Sequence, residues 1–425
     1  MSRIVVTTMG SLGDLHPQIA IALELRQRGH DIVFVTHQTY QAKIAALGFE
    51  FHRLRPDLPR TDELQILAQM MDLKTGSEYI IRKWVLPNLR DTYDDLMASA
   101  KDADFIVSGE LVYVAPMVAE KLGIRWATST LAPAAFFSSY DPSVLPLLPF
   151  ADRLTKLGVT FNRAIKQIII AVTKSWGKPI HQLRNELGLP PINGNVLVEN
   201  RCSPDLVLAL FSSVLAQPQP DWPQNTIVTG FTFYDGDRDR YMVELAPELQ
   251  RFLKTGEAPI VFTLGTAAVN VPGNFYPESI RAARELNRRA VLLIGDNPLP
   301  KDLTPDIIAI DYAPYSQIFP YASAIVHQGG IGTTAQALRS GRPTIVTPYA
   351  NDQPDNAARI ERLGTSRTIA RSQYTGARVA RELRALLENP QYATRAAAVG
   401  RILHTENGVK TACDAIIQRI GSANE

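Results

Sequence analysis

The richest chemistry in this chain of 425 residues lies in one run, His327-Gln-Gly-Gly-Ile-Gly-Thr-Thr-Ala-Gln336. An apolar stretch leads into His327, and three glycines precede a helical pattern that opens near Thr333. Glycines let a backbone come close to a ligand, and the unpaired amides at a helix start favour an anion. A diphosphate therefore suits Gly329, Gly330, Gly332 and Thr333, with His327 as a further donor. The run lacks the Gly-Lys-Ser/Thr of a P-loop and the acidic residue about twenty positions past a Rossmann fingerprint. Near the N-terminus, Gly10-Ser-Leu-Gly13-Asp14-Leu-His16-Pro17 sets a carboxylate and an imidazole at the start of a helix. Either can serve as a general base if it reaches its substrate unprotonated. The bland alternatives are also open. An acid at a helix start stabilises that terminus by about 0.3–1 kcal/mol, and His16 can simply neighbour Pro17.

These residues need a scaffold, and the apolar rhythm supplies one. Short β-branched runs at 3–8, 31–36, 104–108 and 124–129 alternate with helical patterns, one of them opening at Pro17 and closing at Gly29. Continuous apolar strands between helices indicate a parallel sheet covered on both faces. The paired Gln-Pro and Asp-Trp-Pro steps within 216–224 disfavour regular structure and mark a linker. Beyond it the rhythm restarts, with strands expected at 259–264, 290–294, 307–310, 324–327 and 343–347. The expected division is an N-terminal domain over 1–215, a linker over 216–240, a C-terminal domain over 241–405 and a last helix over 406–425. That helix packs either on its own domain or back on the first. The fold class is therefore α/β, with two doubly wound, Rossmann-like parallel-sheet domains; facing each other, they would leave a cleft at the carboxyl ends of both sheets. Residues 60–100 and 131–200 break the rhythm. Their aromatic residues Trp84, Phe136, Phe137 and Tyr140 either line an apolar pocket or cover the sheet.

Composition narrows the classes of function. Lys and Arg number 44 against 42 Asp and Glu, a net charge of +2. That balance excludes a protein built around a large nucleic-acid or acidic-membrane footprint. The best apolar run, 165–172, contains Lys166 and is far too short to span a bilayer, so no integral membrane segment is expected. The apolar stretch at 4–6 is no signal peptide. Cys202 and Cys413 lack metal-ligand spacing and read as reduced thiols, which fits a cytoplasmic protein.

Taken together, His327–Gln336, the following Ala337-Leu-Arg-Ser-Gly-Arg-Pro343 and Asp352-Gln-Pro-Asp-Asn-Ala357 resemble the nucleotide-sugar signature of family 1 glycosyltransferases. Gly10–Pro17 and Arg28-Gly-His-Asp31 are similar to the branch containing sterol and macrocyclic-antibiotic glycosyltransferases. The resemblance implies the two-domain GT-B fold and an inverting, metal-independent transfer of a hexose from a nucleoside-diphosphate sugar, with UDP-glucose the expected donor. No cofactor is implied, because the sugar nucleotide is a co-substrate.

Carried over by position, His327 meets the diphosphate beside the amides of Gly332 and Thr333, and Thr266 meets a phosphate. Tyr312, next to Ala313, either stacks on the base or supports the loop. Gln336 stands where many members place a ribose-binding glutamate, and lacks its charge. Asp352 and Gln353 match the pair that holds sugar hydroxyls. Asp352 can instead cap the next helix, and Thr266 can merely close a turn. Asp14 aligns with the base and His16 competes for that role, while Glu110 stands where some members orient the base. The acceptor implied is a hydrophobic small molecule. Asp235-Gly-Asp237 and Asp237-Arg-Asp239 resemble the Asp-x-Asp of metal-dependent glycosyltransferases, but their charged, turn-like setting reads as a solvated loop. A sugar-nucleotide epimerase or hydrolase of the same fold, or a silent nucleotide-sugar-binding subunit, are the competing functions.

Overall fold

The computed structural model describes residues 1–144, 157–235, 245–301 and 303–421. The chain divides into two units. One comprises Met1–Pro59, Ser77–Tyr234 and Asn407–Glu425, the other Arg60–Gly76 and Asp235–Glu406. The proline-rich stretch 145–150, together with Asp237 and Asp239, lies outside the described residues.

The first unit is built on seven parallel strands: β1 (Arg3–Thr7), β2 (Asp31–Thr36), β3 (Glu50–Arg53), β4 (Phe105–Gly109), β5 (Arg125–Thr130), β6 (Leu206–Ala209) and β7 (Thr226–Val228). Their order is β3-β2-β1-β4-β5-β6-β7. Successive side chains on a strand face opposite ways. Val5, Val33 and Ile106 therefore enter one apolar layer, whereas Ile4, Val6, Phe34, Phe105 and Val107 enter the other. The chain runs outward from β1 to β3 on one side and crosses back to β4 on the other. The gap between the carboxyl ends of β1 and β4 is thus the point where strand order reverses, the usual place for a ligand crevice.

The second unit repeats the plan with six parallel strands: β8 (Ile260–Thr263), β9 (Ala290–Leu293), β10 (Ile307–Ile310), β11 (Ala324–His327), β12 (Thr344–Val346) and β13 (Ser366–Thr368). Their order, β10-β9-β8-β11-β12-β13, puts the reversal between β8 and β11. Phe262, Leu292, Val326 and Ile345 fill one layer, and Val261, Val291 and Ile325 fill the other.

Three features differ from the sequence reading, and a fourth decides between two alternatives that it left open. The first helix spans Leu12–Gln27 and starts ahead of Pro17, because Ser11 and Asp14 form a capping box that nucleates it. Thr226–Val228, inside the expected linker, is an edge strand paired with β6. Arg60–Gly76 groups with the second unit, where Met71 is buried in the same apolar layer as Phe262. The helix Gly408–Gly421 joins the first unit and buries Ala412, Cys413 and Ile416 against Ile19 and Phe34 of its core. Among the described residues no helix is long and apolar enough to cross a membrane.

Candidate active site

At the reversal point of the first sheet, the loop after β1 is held on every side. Thr36 Oγ1 donates to Thr8 O at 2.8 Å, the Gly10 amide donates to His37 Nε2 at 2.8 Å, and Tyr40 Oη donates to Gly10 O at 3.0 Å. Gly10 has φ +124°, and a Cβ there would lie 2.3 Å from Asp14 Oδ2. Only glycine lets the Asp14 carboxylate settle over that backbone. Asp14 Oδ2 accepts from the Ser11 amide at 2.8 Å and from Ser11 Oγ at 3.2 Å. Asp14 therefore does cap the helix, with Gly13 donating to Ser11 Oγ in the same turn. It also stands at the switch point of the first sheet. His16 follows two residues on, its ring 5.1 Å from that of Tyr234.

His37 and Tyr40 carry no motif in the sequence, yet they fix this loop. His37 is fully buried, and desolvation lowers its pKa to about 4. Burial, with a smaller effect of the Asp14 charge, pushes the Tyr40 hydroxyl far up.

Glu110 follows β4 on the other side of the same gap. Its Oε1 accepts from the Leu131 amide at 3.0 Å, and its Oε2 lies 3.5 Å from the Arg201 guanidinium. Burial raises its pKa, with Arg201 opposing. A cavity of about 30 Å³ beside it is lined by Tyr113, Trp126, Thr128 and Arg201. That is room for about one or two waters, not for an organic acceptor. Of the four aromatic residues, Phe136 is buried, stacked on Trp222 at 4.0 Å. Trp84 packs on His37 at 5.4 Å and spends its indole N–H on Asp57 O at 3.1 Å. Phe137, at φ 47°, lies under Arg201, and Tyr140 is exposed.

The second unit assembles its residues at the β8–β11 gap. His327 ends β11, fully buried, and burial lowers its pKa to about 3. The Gly329 amide donates to His327 Nδ1 at 3.1 Å, so the neutral ring carries its proton on Nε2. That Nε2 is buried and has no hydrogen-bond partner. Gly329 has φ +91°, and a Cβ would come within 2.7 Å of Val346 and 3.1 Å of Gln353 O. The helix Ile331–Arg339 starts at Gly330 with no side-chain cap, leaving its first amides to another acceptor. Gly332 is exposed at that start, as is Thr266 in the loop after β8.

Several buried partners knit this loop cluster, and the motif reading passed over them. Tyr315 Oη is 2.9 Å from Thr263 Oγ1 and also engages Thr333, while Gln328 Nε2 reaches Thr333 Oγ1 at 3.4 Å. Ala313 is buried beside them in sequence, whereas Tyr312 is exposed. Asn356, fully buried, donates through Nδ2 to Gly329 O at 2.9 Å and to Asp352 Oδ2 at 2.7 Å. It thus ties the glycine loop to Asp352, which makes no side-chain cap on the helix Gln353–Arg362. Gln353 is turned inward: its Oε1 accepts from the Tyr349 and Ala350 amides at 2.7 and 3.1 Å. Gln336 Nε2 donates to Asp235 Oδ1 at 2.8 Å, and Arg339 donates to Asp235 Oδ2 at 2.8 Å. Asp235 is therefore an ion-pair partner of the Ile331–Arg339 helix, not a solvated loop residue.

Two parallel-sheet units, each with a glycine loop at its reversal point, define the GT-B class of glycosyltransferase. Residues 4–136 match the model of the glycosyltransferase family 28 N-terminal domain, and residues 280–418 that of the erythromycin biosynthesis protein CIII-like C-terminal domain. The chain is 30% identical over 430 residues to O-mycaminosyltylonolide 6-deoxyallosyltransferase of Streptomyces fradiae, covering 97% of this chain and 96% of that one. It is 26% identical to the sterol 3-beta-glucosyltransferase of Pichia angusta, again over 97% of this chain but about a third of that one. The crystal structure of the kitacinnamycin glycosyltransferase superposes with a TM-score of 0.71 at 22% identity, covering 98% of each chain. The chain belongs to this glycosyltransferase family, the family-1-like enzymes of the GT-B fold, and is itself a glycosyltransferase.

Proposed function

We propose that the chain transfers a hexose from a nucleoside-diphosphate sugar, with UDP-glucose as the reference donor, to a hydroxyl of a hydrophobic small molecule. Transfer inverts the anomeric centre and needs no metal. One observation carries this reading: a buried, neutral imidazole whose Nε2–H has no partner stands beside the free amides that open the Ile331–Arg339 helix. An unpaired buried donor is costly, and a diphosphate oxygen would satisfy it together with those amides. Thr266 adds a hydroxyl from the loop after β8, and Asp352, held by Asn356, offers a carboxylate to sugar hydroxyls.

In this mechanism Asp14 takes the proton of the acceptor hydroxyl as its oxygen bonds to the anomeric carbon. The bond from that carbon to the diphosphate oxygen breaks on the opposite face, and His327 with the amides of Gly332 and Thr333 receives the developing charge. The engagement of both Asp235 oxygens by Gln336 and Arg339 supports the metal-free form, because that carboxylate is already paired. The macrolide and sterol acceptors of the two relatives support an apolar alcohol as acceptor. The two relatives transfer different sugars, 6-deoxyallose and glucose.

A screen of UDP- and TDP-sugars against macrolide, sterol and phenol acceptors, read by mass spectrometry, tests the activity. Proton NMR of the product reports the anomeric configuration, and turnover in excess EDTA reports metal dependence. His327→Ala should weaken UDP binding at least tenfold by calorimetry. Equal affinity would remove His327 from the donor site, and donor cleavage that ignores every acceptor would mark a hydrolase.

A further inference from the structure

We infer that His37 is a positioning residue for the carboxylate of Asp14, acting through the backbone of Gly10. The inference rests on the reading of Asp14 as base and adds to it a residue that no motif marks.

Hydrogen-bond direction fixes the tautomer of His37. Pro56 O lies 2.7 Å from His37 Nδ1, and a carbonyl can only accept, so Nδ1 carries the proton. The Gly10 amide lies 2.8 Å from Nε2 and can only donate, so Nε2 is bare. Only the neutral Nδ1–H tautomer satisfies both contacts. Leu54 backbone, Asp57, the Tyr40 ring at 6.1 Å and the Trp84 ring at 5.4 Å face the imidazole from the surrounding elements. With Tyr40 Oη on Gly10 O, both polar backbone groups of Gly10 are taken by side chains that follow β2. The Asp14 carboxylate rests directly over Gly10 Cα, where a Cβ would be 2.3 Å from Oδ2. Any displacement of Gly10 therefore moves the seat of the carboxylate. A misplacement of about 1 Å can cost on the order of a hundredfold in rate. A histidine that merely filled the core would need neither a fixed tautomer nor contact with this one amide.

The test is a double-substitution cycle measured with UDP-glucose and the acceptor returned by the screen above. His37→Leu removes the acceptor nitrogen; its kcat should fall about 10- to 100-fold while the donor KM stays within about twofold. His37→Gln, whose amide oxygen can take the Gly10 N–H, should recover most of that loss. In an Asp14→Asn background, His37→Leu should change kcat by no more than about twofold, because its effect passes through that carboxylate. Equal losses in both backgrounds, or wild-type kcat in His37→Leu, would overturn the positioning role and leave Asp14 as base. Wild-type turnover in Asp14→Asn alone would sink both readings. Should His37→Leu fail to fold, Tyr40→Phe, which frees Gly10 O, carries the same cycle, with a smaller loss expected and additivity again the refuting result.

Discussion

In Asp14 a structural duty, the capping of a helix, coincides with the catalytic one proposed for it. The oxygen that caps the Leu12–Gln27 helix is Oδ2, held by the Ser11 amide and hydroxyl. Asp14 is the third helical residue of the capping box, and an asparagine there keeps an amide oxygen to accept the Ser11 N–H, so Asp14→Asn separates the two duties. Its melting temperature and UDP affinity should stay near wild type while turnover falls about 10²–10⁴-fold. A large drop in melting temperature with little kinetic loss would make the cap the main duty. The motif residues Asp14, His327 and Asp352 were legible because each stands in a run of fixed spacing. His37, Tyr40, Asn356 and Tyr315 were not. Each does its work on a loop distant in sequence, and a lone buried polar residue leaves no periodic trace.

At the scale of elements, the apolar runs of β1, β4, β8 and β11 announced buried parallel strands, since such strands read as continuous hydrophobic stretches. The edge strands β3, β7 and β13 and the interior strand β6 escaped notice, whereas the edge strand β10 did not. β7 is three residues long, and β13 is Ser-Arg-Thr, whose polar side chains break the apolar pattern. The Ile331–Arg339 helix supplies a prediction of its own. Asp235 engages Gln336 and Arg339 from outside the helix and accepts one N–H of the Gln336 amide, so in the proposed donor mode its Oε1 and second N–H remain for a ribose hydroxyl. Asp235→Ala releases the amide to rotate. The donor KM should rise about three- to tenfold, in line with the loss of one hydrogen bond, with kcat little changed and no response to added Mg²⁺. Restoration of the donor KM by Mg²⁺ in the parent chain after EDTA treatment would instead give Asp235 a metal.

For the molecule as a whole, two buried neutral histidines set an acid limit. His37 and His327 have pKa values lowered to about 4 and 3, whereas an unfolded histidine titrates near 6.5. Between those values the unfolded chain binds the extra protons. Stability is therefore fully present above about pH 6.5 and is lost as pH falls toward 4, by up to about 1.4 kcal/mol per pH unit for each histidine. Urea titrations at pH 7, 6 and 5 should show this slope, and His37→Gln should reduce it by one histidine's share; an unchanged slope would contradict neutral burial. The last helix matters at the same scale. Ending the chain at Glu406 would strip Ala412, Cys413 and Ile416 from the core of the first unit. At about 1.5–3 kcal/mol for each large side chain uncovered, the truncated protein should unfold well below the parent in a thermal melt. An unshifted melt would show that helix to be dispensable.

The route of the chain also constrains engineering by recombination. It changes units after Pro59, Gly76, Tyr234 and Glu406, so neither half of the catalyst is encoded as one uninterrupted stretch of gene. A chimera cut once near Tyr234 would give the second unit a foreign 60–76 segment and the first unit a foreign closing helix. Grafts meant to exchange sugar preference between relatives should therefore carry all the junctions together.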